Sequence, residues 1–407
     1  MAKKKTIPLP STPRRDKRPP KVALMIESSN AYARGVLAGV KDYIRTHGPW
    51  NVHLAEHGRG DGPPKWIEDW DGDGVIARIE NKEIARALAE LRVPVVDVSS
   101  HRHLPKVPTA TSDNDAIAKE AFQHFANHGF QRFAYCGVGN FTWALARGGH
   151  FEEAVRAAGY ACHHYEAPED FGLDSDAETD AIATWLEGLP KPVAIFTGYD
   201  LRGLQILEAC KRKGISVPGE VAVLGVDNDD LLCELSSPPL SSIQPDTPRI
   251  GWIAAETLAK MMRGEAVPAD IRRVPPVTIY VRQSTDVMAV DDVHVARAGQ
   301  FIREHAHEGI NVQDVVSAGA LARRILERRF RALVGRTLHE EIRRAQTQRA
   351  KDLLINTGLS LKDIAERIGF RHVEYFTVAF KRETGLAPSF YREEQRSGTP
   401  RAPQGPD

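Results

Sequence analysis

From Val22 onward the chain alternates short apolar runs with longer amphipathic stretches. The runs Val22-Ala-Leu-Met-Ile26, Gly74-Val-Ile-Ala77, Val93-Pro-Val-Val-Asp97, Arg132-Phe-Ala-Tyr-Cys136, Val193-Ala-Ile-Phe196 and Val221-Ala-Val-Leu-Gly225 predict strands. Between them, apolar positions recur at helical spacing over residues 33–46, 81–91, 116–128, 151–159, 176–189 and 202–212. Near-continuous apolar strands alternating with helices predict an α/β body whose parallel sheets are covered on both faces. Ligands of such folds bind beyond the carboxyl ends of the strands.

Beyond residue 296 the pattern turns wholly helical. Asn311-Val-Gln-Asp314 predicts a capped start for a short helix, and Arg323–Arg331 a second, Arg-rich one. Leu326, Phe330 and Leu333 form its expected buried stripe, leaving Arg323, Arg324, Glu327, Arg328 and Arg331 outside. The unit then repeats. Ser360-Leu-Lys-Asp363 caps a helix with Leu361, Ile364, Ala365 and Ile368 inward, Gly369 stops it, and a helix over residues 374–384 buries Phe376 and Phe380. A long helix over 338–356 joins the repeats. Two helix-turn-helix units on one connecting helix suit successive major grooves, roughly 34 Å apart on one DNA face.

The strand ends of the body are polar. Glu27, Ser28, Ser29, Asn30 and Tyr32 follow the first strand, Asp97-Val-Ser-Ser100 the third, and Trp143 and Arg147 lie beyond the fourth. Thr197-Gly-Tyr-Asp200 follows the fifth and Asp227-Asn-Asp-Asp230 the sixth. Carboxylates and amides bond pairs of hydroxyls, and an aromatic face covers the C–H side of a sugar ring, so the set points to a neutral polyhydroxylated ligand. Taken singly, each residue has a plainer reading: Asp113 as a helix cap, Asp229 and Asp230 in a turn, Tyr199 and Trp143 in packing.

Charge changes the picture only when it is divided. The whole chain balances 54 basic against 54 acidic residues. Residues 1–21 hold eight basic and one acidic, residues 22–296 hold 26 and 39, and residues 297–396 hold 19 and 13. An acidic body with a basic helical end has the electrostatic footprint of a phosphate-backbone binder in that end. The basic, Pro-rich head 1–21 and the tail 397–407 are expected to be disordered.

Several functions lack their signatures. No stretch approaches the roughly 18 apolar residues of a membrane span, and no apolar segment follows the basic start, so neither membrane nor export is expected. Cys136, Cys162, Cys210 and Cys233 lie far apart without C-x-x-C, which fits reduced cytoplasmic thiols and no metal site. The first strand–helix turn has no G-x-G-x-x-G, and Gly137-Val-Gly139 lacks a third glycine, so no dinucleotide cofactor is expected. Nucleophile, base and orienting group do not stand together, and an enzyme is disfavoured.

Residues 22–285 resemble the sugar-binding core of LacI-type repressors, a pair of periplasmic-binding-protein-like α/β lobes. The resemblance rests on Ser112-Asp-Asn-Asp115, Asn127-His-Gly129, Arg147 before Phe151, Val217-Pro-Gly-Glu-Val-Ala-Val-Leu-Gly-Val-Asp227 and Pro239-Leu-Ser-Ser-Ile243. It implies that Arg147 and Asp227 bond sugar hydroxyls in a cleft between lobes where Tyr199 and Asp200 also lie; the strand-end pattern adds Glu27, Ser28, Tyr32, Trp143 and Asn228 as expected sugar contacts. The N-terminal helix-turn-helix and hinge helix of those repressors are missing. Residues 297–396 are identified as an AraC-type DNA-binding domain by Leu326-Glu-Arg-Arg-Phe330, Gly335, Ala350, Leu353-Leu354, Ile364-Ala365, Gly369-Phe370, Tyr375-Phe376, Phe380-Lys381, Gly385, Pro388 and Tyr391-Arg392. That resemblance implies that Arg324, Glu327 and Arg328 face bases from one recognition helix and Val373, Glu374, Tyr375 and Val378 from the other, with Arg323, Arg331 and Lys381 beside them. Ala322 stands where the family usually has a capping Ser, and Val378 where it often has Arg.

The domain order, together with Asn30-Ala-Tyr32, Gly72-Asp-Gly-Val-Ile-Ala77 and Arg282-Gln-Ser-Thr-Asp286, resembles activators of pentose catabolism. The implied protein is a homodimer with sensor 22–285, linker 286–296 and reader 297–396. It takes D-xylose or a similar pentose, an operator in double-stranded DNA and RNA polymerase as partners. A sensor for another pentose or related sugar, a nonregulatory sugar-binding protein and a sugar-modifying enzyme stand as alternatives.

Overall fold

The structure, a computed structural model, describes residues 18–55, 58, 61–100, 102–138, 141–165, 176–286 and 292–397. The head up to residue 17, residues 287–291 of the expected linker, Gly139 and the tail from residue 398 lie outside them.

Along the chain the elements run β1 (Lys21–Met25), α1 (Ala31–His47), β2 (Asn51–Leu54), β3 (Gly74–Ala77), α2 (Lys82–Ala89), β4 (Val95–Asp97) and β5 (Thr109–Ser112). Then come α3 (Asn114–Asn127), β6 (Phe133–Cys136), α4 (Thr142–Ala157), β7 (Cys162–Tyr165), α5 (Asp176–Gly188), β8 (Val193–Thr197), α6 (Asp200–Lys213) and β9 (Val221–Val226). The body closes with α7 (Asp230–Leu235), β10 (Ser241–Pro245), α8 (Thr247–Met262), β11 (Ile271–Val274) and β12 (Pro276–Tyr280). The helical end holds α9 (Val293–His305), α10 (Val312–Gly319), α11 (Arg323–Val334), α12 (Leu338–Asn356), α13 (Leu361–Arg367), α14 (Val373–Thr384) and α15 (Pro388–Ser397).

These elements form two compact units, one made of the chain up to Ser112 with Thr247–Val274, the other of Asp113–Asp246 with everything from Pro275 on. In the first unit one six-stranded sheet runs β11-β5-β4-β3-β1-β2, parallel throughout. Val22, Leu24, Ile76 and Val96 face α1 and α8 on one side, while Met25, Val75, Ala77 and Val95 meet α2 on the other. Two helices on this sheet pack backbone to backbone. A Cβ on Gly39 would lie 1.9 Å from the Pro248 carbonyl oxygen, and one on Gly251 2.0 Å from that of Val36, so only glycine admits the approach of α1 to α8.

The second unit repeats the plan in the order β12-β10-β9-β8-β6-β7. Every pairing is parallel except β10 with β12, which is antiparallel, a departure from the all-parallel expectation at an edge strand. The six expected strands are present. Six others, β2, β5, β7, β10, β11 and β12, have no counterpart in the apolar pattern, and neither does α8.

The helical end builds two small cores. Val295, Ala298, Ile302, Val315, Leu326, Phe330, Val334, Leu338 and Ile342 form the first, and Ala350, Leu354, Ile364, Ile368, Phe376, Phe380 and Tyr391 the second. The stripe of α11 differs from the expected one: Leu333 is exposed, and Val334 one residue on turns inward against the start of α12. Capping boxes at Asn311, Thr337 and Ser360 open α10, α12 and α13. Ala322, by contrast, gives α11 no side-chain cap.

Candidate functional site: a polar strand-end cluster and two exposed recognition helices

In the first unit Glu27 leaves β1 and is buried, because Arg78 at the end of β3 neutralises it at 2.6 Å. Asn30 caps α1 and also donates to Glu27 at 2.6 Å. The Arg78 guanidinium lies 5.1 Å from the Tyr32 ring and ion-pairs with Glu80 at 2.8 Å. Tyr32 in turn accepts from the Ser112 hydroxyl at 3.3 Å. Ser28 is exposed, and its carbonyl accepts from Arg34 at 3.2 Å. Asp97 is fully buried at the end of β4. Its Oδ1 takes backbone N–H groups of Ser99 and Ile79, its Oδ2 has no hydrogen-bond partner among the described residues, and burial pushes the carboxyl up to about 7.

The second unit gathers its expected residues at the neighbouring ends of β6, β8 and β9. Trp143 and Arg147 stand in the first two turns of α4, which starts earlier than the expected helix, so a helix rather than a loop sets their spacing. Arg147 is buried. Its Nε and Nη2 donate to Asn114 Oδ1 at 3.2 and 3.1 Å, and its Nη1 to the Gly198 carbonyl at 2.5 Å. The guanidinium also lies 5.5 Å from the Trp143 ring, which meets Tyr199 edge-on at 5.7 Å. Asp113 is the N-cap of α3, which bears out its plainer reading.

Asp200 opens α6 and is also buried. It accepts the Ser242 hydroxyl at 2.5 Å and the Asp229 N–H at 2.7 Å. Desolvation, and after it the Asp227 carboxylate, push Asp200 up to about 8. Asp227 and Asn228 both have positive φ, 108° and 48°, a conformation that costs a non-glycine residue free energy and recurs at ligand sites. Asn228 is fixed on both sides: its N–H donates to Ser242 Oγ at 3.0 Å and its Oδ1 accepts from Arg282 at 3.0 Å. Arg282 also ties down Asp230 at 2.9 Å and Glu234 at 2.5 Å.

Sequence reasoning placed Trp143, Arg147, Tyr199, Asp200, Asp227 and Asn228 beside one another, and it missed the groups that hold them. Asn114, Ser242 and Arg282 in this unit, and Arg78 in the first, carry that work. Asn114 lies in the Ser112–Asp115 run, Ser242 in Pro239–Ile243 and Arg282 in Arg282–Asp286, runs that carry the resemblance without marking these side chains as supports.

On the reader, Arg323, Arg324, Arg328 and Arg331 are exposed on α11, with Arg323 paired to Glu327 across one turn at 3.0 Å. Glu374, Tyr375, Val378 and Lys381 are exposed on α14, where Tyr375, tilted against His372 at 5.9 Å, and Val378 are 70% and 68% accessible. Val373 is the exception. Half-buried against the second core, it is less available to a base than its position in the motif implies. Among the described residues no helix is long and apolar enough to cross a membrane. All four cysteines are free, and Cys136, Cys210 and Cys233 are buried.

Two parallel-sheet units with polar strand ends, followed by paired helix-turn-helix motifs, define a class: DNA-binding transcription regulators with a periplasmic-binding-protein-like sensor. Family models agree along the chain, with an XylR N-terminal domain over residues 21–115, a periplasmic binding protein-like domain over 122–285 and a helix-turn-helix domain over 317–394. The chain is 34% identical over 381 residues to the xylose operon regulatory protein of Escherichia coli (strain K12), covering 92% of this chain and 97% of that one. With the protein of the same name from Haemophilus influenzae it shares 30% over 384 residues, 91% and 98% of the two chains. A solved structure of the xylose-binding transcription activator xylR superposes with a TM-score of 0.61 at 32% identity, covering 93% of this chain and 98% of that one. The chain belongs to the xylose operon regulatory protein family.

Proposed function

We propose that the chain is a D-xylose-responsive activator of transcription, with residues 22–285 as sensor, 286–296 as linker and 297–396 as reader. The observation that carries the sugar assignment is the Arg147 fork, held flat by Asn114 and the Gly198 carbonyl beside the Trp143–Tyr199 pair. A planar donor fork next to an aromatic surface and a carboxylate–amide pair, Asp227 and Asn228, matches adjacent hydroxyls on a small ring. Glu27, Ser28 and Tyr32 are the first unit's own strand-end contacts to sugar. The names of the relatives support xylose as the pentose.

Sugar acts by preferring one conformation of the sensor, and only its differential affinity for two states can alter operator binding. In this reading the protein works as a homodimer in the cytoplasm, recruits RNA polymerase and catalyses no reaction. Titration calorimetry with D-xylose, L-arabinose, D-ribose and D-glucose tests the assignment. Saturable heat with D-xylose and much weaker heat with the others is expected. Heat with another pentose alone would transfer the role to that sugar, and heat with none would remove the sensor function.

A further inference from the structure

Within the second unit, α3 and β12 of the sensor and α9 and α12 of the reader enclose a groove of about 490 Å³. That is the size of a small-metabolite site. Its chemistry is unlike that of the strand ends: four cations, Arg303 from α9 and Arg344, Arg349 and Lys351 from α12, line it with three carboxylates, Glu120, Asp286 and Asp352.

The protein satisfies only part of this charge. Arg303 ion-pairs through Nε with Asp286 at 2.8 Å, while its Nη1 is buried with no acceptor among the described residues. An unpaired buried guanidinium N–H is costly, and an anion reaching it would remove that cost. Arg344 is held by Glu341 at 2.7 Å and remains positively charged. Arg349 is exposed, and Lys351 lies 6.0 Å from the Tyr391 ring.

Of the three carboxylates, Asp286 is taken up by Arg303. Burial pushes Glu120 up to about 7 and Asp352 up to about 6, so both take up a proton readily when an anion approaches. His124 and His128 are neutral. His128 Nδ1–H donates to the His124 carbonyl at 2.7 Å, and His124 Nε2 meets Thr285 Oγ1 at 2.9 Å. Gln123 and Gln348 add amide donors and acceptors to the wall. Several forked or point cations with amides around them are the recognition chemistry of a phosphoryl group carrying hydroxyls.

We propose that this groove is a second small-molecule site, separate from the strand-end residues, and that it binds a phosphate group, either free or carried by a pentose. Because its walls come from both sensor and reader, occupancy would stabilise the docked arrangement of the two. Isothermal calorimetry on the full-length protein, with inorganic phosphate and with D-ribose 5-phosphate as probes, tests the proposal. The expected result is saturable binding of at least one probe, retained with D-xylose present and weakened at least about tenfold in Arg349→Gln/Lys351→Gln. Arg349→Gln alone, at an exposed position that cannot endanger the fold, should weaken it at least about threefold. Binding of the ester alone assigns a sugar phosphate, and equal binding of both assigns free phosphate. No saturable heat with either probe would overturn the site, as would unchanged affinity in the folded double variant. Phosphate binding without D-xylose heat would support the groove and sink the sugar assignment, so the two claims fail separately.

Discussion

Arg147 and Asn114 face each other across the start of two helices, and a single amide oxygen of Asn114 receives two guanidinium N–H groups, at 3.2 and 3.1 Å. The pair fixes the plane of the fork before any ligand arrives, so little side-chain entropy remains to be lost on binding. Replacing Arg147 by Lys keeps the charge and loses the fork. D-xylose affinity should fall by about 2–3 kcal/mol, the range for a hydrogen bond to a charged group, roughly 30- to 150-fold by calorimetry. Operator binding without sugar should be little changed.

Asn114→Ala should act on the same site from behind. It removes the acceptor from a buried guanidinium that keeps only the Gly198 carbonyl, and the cost should appear as about 1–3 kcal/mol of stability. Urea unfolding of the variant checks this, and a parallel xylose titration should show weaker binding with no change of stoichiometry.

On the reader, Arg328 is exposed in the middle of α11 and, among the described residues, has no ion pair across the turn, unlike Arg323. Arg328→Ala should lose about 1–3 kcal/mol of operator affinity and relax preference at one base, as expected for a guanine-reading arginine. Footprinting and competition with single-base operator variants separate that outcome from the uniform loss that a phosphate contact would give.

Glu341 is wholly buried at the start of α12, between Arg336 and Arg344, and Arg336 also donates to the Asn127 carbonyl at the end of α3. The arginines hold the Glu341 carboxyl below its ordinary range despite burial. Glu341→Gln would leave two guanidinium groups without their counter-charge, and breaking such a buried cluster typically costs about 3–5 kcal/mol. A lowered urea midpoint with unchanged slope is the expected result.

Acid should loosen the same region. Burial lowers His128 to about 3 and His124 well below the ordinary histidine range, with neighbouring guanidinium groups adding to the effect. In the unfolded chain both titrate near 6.5, so below that pH the unfolded state binds more protons and stability falls as pH drops toward about 3. Each histidine contributes a slope approaching about 1.4 kcal/mol per pH unit in that window. His128→Gln should flatten the loss measured by urea unfolding between pH 7 and pH 5, by about 2 kcal/mol at the lower end.

How far the architecture could be read from the residues depends on where the polar groups sit. The six strands flanking the two cores are runs such as Val221–Val226, buried along their whole length, and apolar pattern alone finds them. β10 reads Ser-Ser-Ile-Gln-Pro and is buried with its hydroxyls bonded, Ser242 to Asp200 and Ser241 to the Arg282 carbonyl, and β5, Thr-Ala-Thr-Ser, is buried with Ser112 bonded to Tyr32. A hydrophobic count is blind to strands that exist to carry hydrogen bonds. α8 was hidden by Pro248, which reads as a breaker but lies in the first turn, where its missing N–H costs nothing. The strand-end residues could be found because the chain order of an α/β fold predicts where they must lie. Arg78 and Asn114 were not singled out, since what marks them is a partner distant in sequence.

The central claim is that sugar and operator are linked through one protein. Fluorescence anisotropy of promoter DNA titrated with the full-length protein, with and without saturating D-xylose, measures that linkage directly. The account predicts operator binding at least about fivefold tighter with D-xylose, a coupling of 1 kcal/mol or more. It also predicts that Arg147→Lys loses this gain at sugar concentrations that saturate the parent protein. Superimposable binding curves with and without D-xylose, from a protein that calorimetry shows to be saturated, would contradict it.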